Sequence, residues 1–521
     1  MQTLLHCLSP VTPQGAAAPH CLEYDSLLLT DGESSVTPLY KSAFALAREI
    51  RSGQRSAEET LEFFLHRIRT HNPSLNVVVA LDEDGARERA QAADVAAQRG
   101  EDWGPLHGVP VTIKDAFCTS GLITVGGIPD CANHIPRSNA IAVQRYVDAG
   151  AIVFGKTNVP FMSADLQSFN EVYGISNNPW NTARTCGGSS GGAAAAIAAG
   201  LTPLEIGSDI GGSIRTPSHF NGVYGHKSSY GLVSQRGHLP PGEHTLSESD
   251  LSVVGPIGHC VDDIEQALEL MKGAAPEDSR AWDAQLSEAS FTASEQLRVA
   301  IWADDEFCPV DHDIRAAIEA AGNTLADLGA HVDFAARPDF DPEHNHHNYT
   351  QLLSAAVGAG MPQAVRDAAA AAVTAADADD MSEPLLQMRG VALRHADWLR
   401  QHERRLRTRR AWDQFFEAYD VVICPCAHVT AFAHDHTPDM HNRRLTVNGE
   451  ERRYTDILRW SGLTLNAYLP ATAVPVGLSS EGLPIGAQIA APYLGDKTCL
   501  AVARLLETHH RAFLPPPGYA E

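Results

Sequence analysis

The stretch from Arg184 to Pro217, RTCGGSSGGAAAAIAAGLTPLEIGSDIGGSIRTP, constrains the fold of this chain more than any other. Two glycine-serine clusters flank an alanine run. A helix over GGAAAAIAAG carries almost no side-chain bulk and can lie very close to a neighbour, while PLEIGSDIGGSI reads as a short strand that returns into a glycine turn. Upstream, GVPVTIKDAF and AGAIVFGKTNVP are β-branched runs separated by NAIAVQRYVDAG, which has the period of a helix. Strand, helix, strand in that order predicts an α/β core.

The rest of the chain extends the alternation. SAFALAREIRSG, SAEETLEFFLHRIRTHNP and GARERAQAADVAAQRG read as helices, with Ser56 and Glu59 fitting a capping box, and LNVVVALD reads as a strand. VDDIEQALELMKG and SEQLRVAIWAD continue it. LPATAVPVGLSSEGLPIGAQIAAP supplies late strands, and KTCLAVARLLETHH closes with a helix. Residues 305–455 differ in character: alanine-rich and strongly polar helical pieces lead to the loop-like HVTAFAHDHTPDMHN. They are expected to be a variable segment within one domain spanning 37–505, with an amino-terminal extension over 1–36 and a tail over 506–521.

Composition narrows the class. With 521 residues, 44% hydrophobic and 20% charged, the chain has the make-up of a globular protein. Its formal charge of -25 opposes a nucleic-acid partner or an acidic membrane surface through the overall field. Ten scattered cysteines lack the density of a disulfide-stapled domain, and no run reaches membrane-spanning length without polar interruption. A cytoplasmic protein is expected. Lysine occurs only at 41, 114, 156, 227, 272 and 497, so Lys114, Lys156 and Lys227, each in a weakly charged glycine-containing stretch, invite a functional explanation or buried ion pairs.

The glycine clusters do not fit nucleotide loops. GGSSGGAAAA lacks the lysine and following hydroxyl of a P-loop, and GSDIGGS lacks the glycine spacing of a dinucleotide fingerprint. What remains is exposed backbone N–H, which can hold an oxyanion as readily as a phosphate. Serine needs a base to become a nucleophile, and Arg184–Pro217 contains no histidine. A buried lysine can serve if desolvation keeps it neutral. Lys114 follows the apolar VPVTI run that would take it inside, although a pairing with Asp115 or another carboxylate fits the spacing equally well.

The ordered set GPLHGVPVTIKDAF, GKTNVP, GGSSGG, GSDIGGSIR and GLPIGAQI resembles the amidase signature family of Ser-Ser-Lys hydrolases over residues 37 to 505. The resemblance implies an α/β fold with a central mixed, twisted sheet flanked by helices on both sides. It implies Ser213 as nucleophile, Ser189 as bridging serine in a cis Gly188–Ser189 peptide, and Lys114 as terminal base. Backbone N–H groups of Ile210, Gly211, Gly212 and Ser213 would form the oxyanion hole, with Asp209, Arg215, Ser190 and Thr185 in support and Lys156 and Asn158 architectural. Phe161 and Met162 stand where many relatives place a glutamate, and Cys186 stands where proline is common, so these three are expected beside the substrate pocket.

The implied reaction is hydrolysis of a carboxylic amide, extending to aryl amides, carbamates or esters, with a small-molecule amide as partner and no metal or organic cofactor. A homodimer is the expected assembly. The alternatives are a glutamine-hydrolysing subunit of a tRNA-dependent amidotransferase and a non-catalytic scaffold of the same fold. Cys424, Cys426, His428, His434, His436 and His441 have metal-capable side chains without standard zinc spacing, and EHNHH (343–347) reads as a solvent-facing loop. HERRLRTRR has six basic side chains counting His402 but no aromatic interleaving, which favours salt bridges within the protein or between subunits over nucleic acid.

Overall fold

The computed structural model describes residues 37–281 and 283–521, so the expected amino-terminal extension falls outside the described residues. Helices at Ala43–Arg51, Ala57–Leu75 and Glu83–Gln98 follow the apolar periodicity. Ser56 caps the second of them, its Oγ accepting from Glu59 N at 3.2 Å. The carboxylate at that helix start comes from Asp94, which accepts from Ala57 N (2.6 Å) and Glu58 N (3.2 Å) as well as from Ser56 Oγ (2.6 Å). A carboxylate 37 residues away thus satisfies the first N–H groups of this helix.

Two sheets organise the core. Strands β1 (Val78–Leu81), β2 (Pro110–Lys114) and β3 (Ile152–Thr157) form the first, in the order β1-β3-β2. β2 and β3 pair in parallel across the helix Ile141–Asp148, as the strand-helix-strand reading requires. The second sheet has eight strands: β4 (Leu204–Asp209), β5 (Tyr224–Lys227), β6 (Val253–Gly258), β7 (Arg298–Ile301), β8 (His331–Asp333), β9 (Val421–Pro425), β10 (Ala471–Leu478) and β11 (Pro484–Ala490). Their order is β8-β7-β9-β11-β10-β5-β6-β4. β7 runs parallel to β8 and β9 while the other pairs are antiparallel, so the sheet is mixed, with helices against it.

Glu205 on β4 ties the two sheets together. Its Oε1 accepts from Thr112 Oγ1 on β2 (2.7 Å) and Thr157 Oγ1 on β3 (2.9 Å). Burial pushes this carboxyl up to about 7, against the threonine hydrogen bonds that pull it down. Beside this seam lies the alanine helix, Gly191–Ala198, all eight residues of which are buried. Its first turn is packed so tightly that a Cβ at Gly192 would sit 2.4 Å from Asn158 N. Ala193, Ala194, Ile197 and Ala198 then close on Ile214, Val223 and Ile257, which fixes the distance between the two glycine-serine clusters.

Residues 305–455 are threaded through the core rather than appended to it, since β8 and β9 come from them. The remainder includes helices at Pro342–Gly358, Gln363–Ala375, Glu383–Val391 and His395–Phe415. EHNHH is not a loop. Asp341 caps the first of these helices by accepting from Glu343 N and His344 N, and Pro342 sits in the first turn, where its missing N–H costs nothing. His346 is thereby turned inward onto Glu383 Oε2 at 3.1 Å, and Glu343 pairs with Arg459. The basic helix is also paired internally: Arg405 is buried, holds both Asp250 oxygens at 2.9 Å and lies 4.4 Å over the Tyr468 ring. The closing helix runs Asp496–His509, and Arg67 secures the chain beyond it by donating to Tyr519 O and Glu521 O. Among the described residues no helix is long and apolar enough to cross a membrane.

Candidate active site

Lys114 is the last residue of β2 and Ser208 and Asp209 are the last two of β4, so the site forms where two strands from different sheets end side by side. Lys114 is fully buried, and its Nζ lies 2.7 Å from Ser189 Oγ, 2.9 Å from Ser190 Oγ and 2.9 Å from Ser208 Oγ. It makes no ion pair among the described residues. Asp115, the alternative partner, is turned away to accept from Val125 N at 3.1 Å and Gly126 N at 3.2 Å. Burial pushes the Lys114 amine down to about 7, against the pull of Asp209 and Glu205. The expected pairing of Lys114 with Asp115 or another carboxylate is therefore not formed among the described residues.

Ser189 follows a cis peptide bond from Gly188 and is 1% exposed. Thr185 orders the approach to it, with its Oγ1 accepting from Gly187 N at 3.0 Å. Ser190 N donates to Ser213 O at 3.1 Å, which joins the two serine clusters through the main chain. Ser213 remains 6% exposed, and no hydrogen bond joins its Oγ to Ser189 Oγ among the described residues.

The turn carrying Ser213 is shaped by a buried pair. Asp209 accepts from Gly212 N (2.7 Å) and Ile214 N (3.1 Å) and meets Arg215 at 3.0 Å through both Nε and Nη2. Burial alone would raise the Asp209 carboxyl, but the guanidinium outweighs it and holds the group below the usual range. Arg215 also reaches Gln488 Oε1 at 2.7 Å and Thr464 Oγ1 at 2.8 Å, anchoring the turn to β11 and to the helix Ile457–Asn466. Gly212 sits at φ +96, where a Cβ would meet Thr216 Oγ1 at 2.8 Å. Asp209→Asn is expected to cost about 3–5 kcal/mol, because Arg215 stays buried without its counter-charge. Chemical denaturation measures this, and an unchanged midpoint would show that the pair does not hold the turn.

The oxyanion-hole expectation is revised by this geometry. Gly212 spends its N–H on Asp209 and is removed from the set. The N–H groups of Ile210, Gly211 and Ser213 have no acceptor among the described residues, while Ile210 O is held by the Tyr349 hydroxyl at 2.8 Å. Tyr349 belongs to residues 305–455 and packs with Leu251, Leu352 and Leu465 beside Ile210 and Leu458. That segment therefore touches the turn that carries Ser213 directly.

The residues expected at the substrate pocket part company. Phe161 and Met162 are 52% and 37% exposed, on a turn fixed by Met162 N donating to Gly126 O at 3.0 Å. Cys186 is fully buried beneath the glycine cluster, so it cannot line a surface that substrate reaches. Burial pushes its thiol up to about 12, which makes it a packed side chain and not a nucleophile. Lys156 and Asn158 are structural: Lys156 Nζ donates to Phe117 O and Thr119 Oγ1, and Asn158 Nδ2 donates to Ser176 Oγ at 2.9 Å. Cys424, Cys426 and His428 are buried. Among the described residues, three side chains converge as if for a metal only at His259, Cys260 and Asp263, where Asp263 is already occupied with Ser42 Oγ and Ala43 N.

Ser208 and Gln488 lie inside the GSDIGGSIR and GLPIGAQI motifs, which by themselves give neither a role, and no motif marks Tyr349 or Thr464. All four meet the site through contacts made only in the folded chain.

Comparison with known proteins places this architecture. The sequence model of the family described as Amidase matches residues 59–500. The A subunit of glutamyl-tRNA(Gln) amidotransferase from Synechococcus sp. (strain CC9605) is 32% identical over 497 residues, covering 91% of this chain and 98% of that protein. An indoleacetamide hydrolase of Bradyrhizobium diazoefficiens is 32% identical over 471 residues, covering 89% and 86%. Among solved structures, 6-aminohexanoate cyclic dimer hydrolase complexed with substrate superposes with a TM-score of 0.73 at 26% identity, covering 93% of this chain and 98% of that one.

Proposed function

The chain belongs to the amidase signature family and is an amide-hydrolysing enzyme, and we propose that it cleaves a small-molecule carboxylic amide through an acyl-enzyme on Ser213. The observation that carries this is the buried Lys114, whose amine faces three serine hydroxyls and, among the described residues, no carboxylate partner. A lysine titrating near 7 is neutral in about half of the molecules at that pH, and a neutral amine has a lone pair with which to take a proton.

Ser213 Oγ attacks the carbonyl carbon as its proton passes to Ser189, whose own proton passes to Lys114. The new C–O bond places the carbonyl electron pair on oxygen, and N–H groups from Ile210, Gly211 and Ser213 are the donors available to it. Return of the proton through Ser189 lets the C–N bond break with the nitrogen leaving as a neutral amine or ammonia. Water then attacks the acyl carbon as its proton passes through Ser189 to Lys114, and return of that proton to Ser213 Oγ lets the ester C–O bond break, releasing the acid and restoring Ser213. The Ser189 to Ser213 link has to shorten for this, as catalytic hydrogen bonds commonly do once substrate is bound.

A second reading has its own support. The similarity to the amidotransferase protein extends over nearly the whole chain, so glutamine is a candidate amide, and dependence on a partner protein is a candidate requirement. Purified chain should be assayed alone against aliphatic amides, anilides, carbamates, esters and glutamine. Turnover of a non-glutamine amide by the chain alone is the expected result. Cleavage of glutamine only, and only after a partner protein is added, would replace the first reading by the second.

A further inference from the structure

The three hydroxyls around Lys114 are not equivalent, and the difference originates outside the site, at His238. This residue follows Gly237 in RGHLPP, and its ring spans two fixed groups. Nδ1 lies 2.7 Å from Pro240 O, and Nε2 lies 2.8 Å from Ser208 Oγ. The Phe117 ring meets the imidazole edge to face at 5.0 Å, which limits its rotation.

The hydrogen-bond polarity follows from valence alone. A carbonyl oxygen only accepts, so in a neutral imidazole Nδ1 carries the proton and Nε2 is left as an acceptor. Ser208 must then donate its single hydroxyl proton to Nε2, and toward Lys114 it can only accept. Ser190 Oγ donates to Ser208 O at 3.3 Å, so it too accepts from Lys114. A neutral amine has two N–H bonds and one lone pair. With both N–H bonds committed to Ser190 and Ser208, the lone pair is left facing the third neighbour, Ser189 Oγ, at 2.7 Å.

We propose that His238 is a positioning residue for the hydrolysis: by accepting from Ser208, it fixes the lone pair of Lys114 on Ser189. This rests on reading Lys114 as the base. The ring stays neutral where Lys114 titrates, because burial pushes it down to about 4 and the charges of Lys114 and Lys156 add to that, against the hydrogen bond to Pro240. Without His238, the Ser208 hydroxyl is free to turn its proton onto the Lys114 lone pair, where it competes with Ser189.

The test is a mutant cycle on the full chain with one amide substrate. His238→Ala should lower kcat about tenfold with KM unchanged, a fraction of the worth of a general base. In a Ser208→Ala background the same change should alter kcat less than about twofold, since the competing hydroxyl is gone. His238→Gln, whose Oε1 can accept from Ser208, should recover most of the rate. An equal loss with and without Ser208, or no loss in a folded His238→Ala protein, would overturn the proposal. If His238→Ala does not fold, His238→Phe keeps a ring against Phe117 without either nitrogen and gives the same comparison. Failure of the base reading is separable: there, Lys114→Ala keeps its activity whatever His238 does.

Discussion

Ser213→Ala is expected to lower kcat about 10⁴-fold or more while leaving the fold intact. The two halves of that expectation have separate causes. Activity goes because the oxygen that forms the acyl bond is removed, and neither Cys186 nor any other buried thiol of the core replaces it. Cys186, Cys424 and Cys426 are all buried, with thiols raised by desolvation and far from nucleophilic at neutral pH. Stability stays, within about 0.5 kcal/mol, because the Ser213 hydroxyl makes no hydrogen bond among the described residues. What Ser213 does hold, its carbonyl on Ser190 N, survives in alanine. Equal turnover by the parent and a folded Ser213→Ala variant would remove the nucleophile from the mechanism. A large fall in thermal midpoint would mean that the hydroxyl is structural.

Lys114→Ala should lower kcat/KM about 10²- to 10⁴-fold, the range of a positioned general base. Lys114→Arg should be at least as damaging, since a guanidinium does not give up its proton in a protein. The parent's pH profile carries the sign. Burial brings the amine down to about 7, so below that pH the protonated form dominates and kcat/KM should rise about tenfold per unit, flattening above it. Asp209 and Glu205 pull the other way, so neutralising either should move the limb to lower pH. A limb at an ordinary lysine value, or a flat profile between pH 5 and pH 9 in steps of about one unit, would exclude Lys114 as the base.

Much of the chemistry is legible because it is local. The GGSSGG and GSDIGGS clusters mark their own turns, and the apolar run before Lys114 announces that its amine goes inside. The α/β alternation is readable from periodicity, down to the parallel pairing of β2 with β3. The misses share a cause. EHNHH reads as a loop when its polarity is weighed without Asp341 and Pro342, which start a helix there. Cys186 falls at the pocket in a linear reading because its neighbours in the chain are visible and its burial is not. Gly212 counts as an oxyanion donor until the fold shows that Asp209, three residues earlier, takes its N–H. Tyr349 and His238 join the site from 235 and 124 residues beyond Lys114, through a helix face and a turn that meet it only in the folded chain, and neither lies in a motif that announces it.

The most direct measurement is mass spectrometry of the protein during turnover of a slowly deacylating ester or carbamate, followed by peptide mapping. A serine acyl-enzyme predicts a mass increase equal to the acyl group, located on Ser213, absent from Ser213→Ala and decaying at the rate of product release. Turnover with no adduct at any time, or an adduct mapped to Cys186 or Ser189, would contradict it.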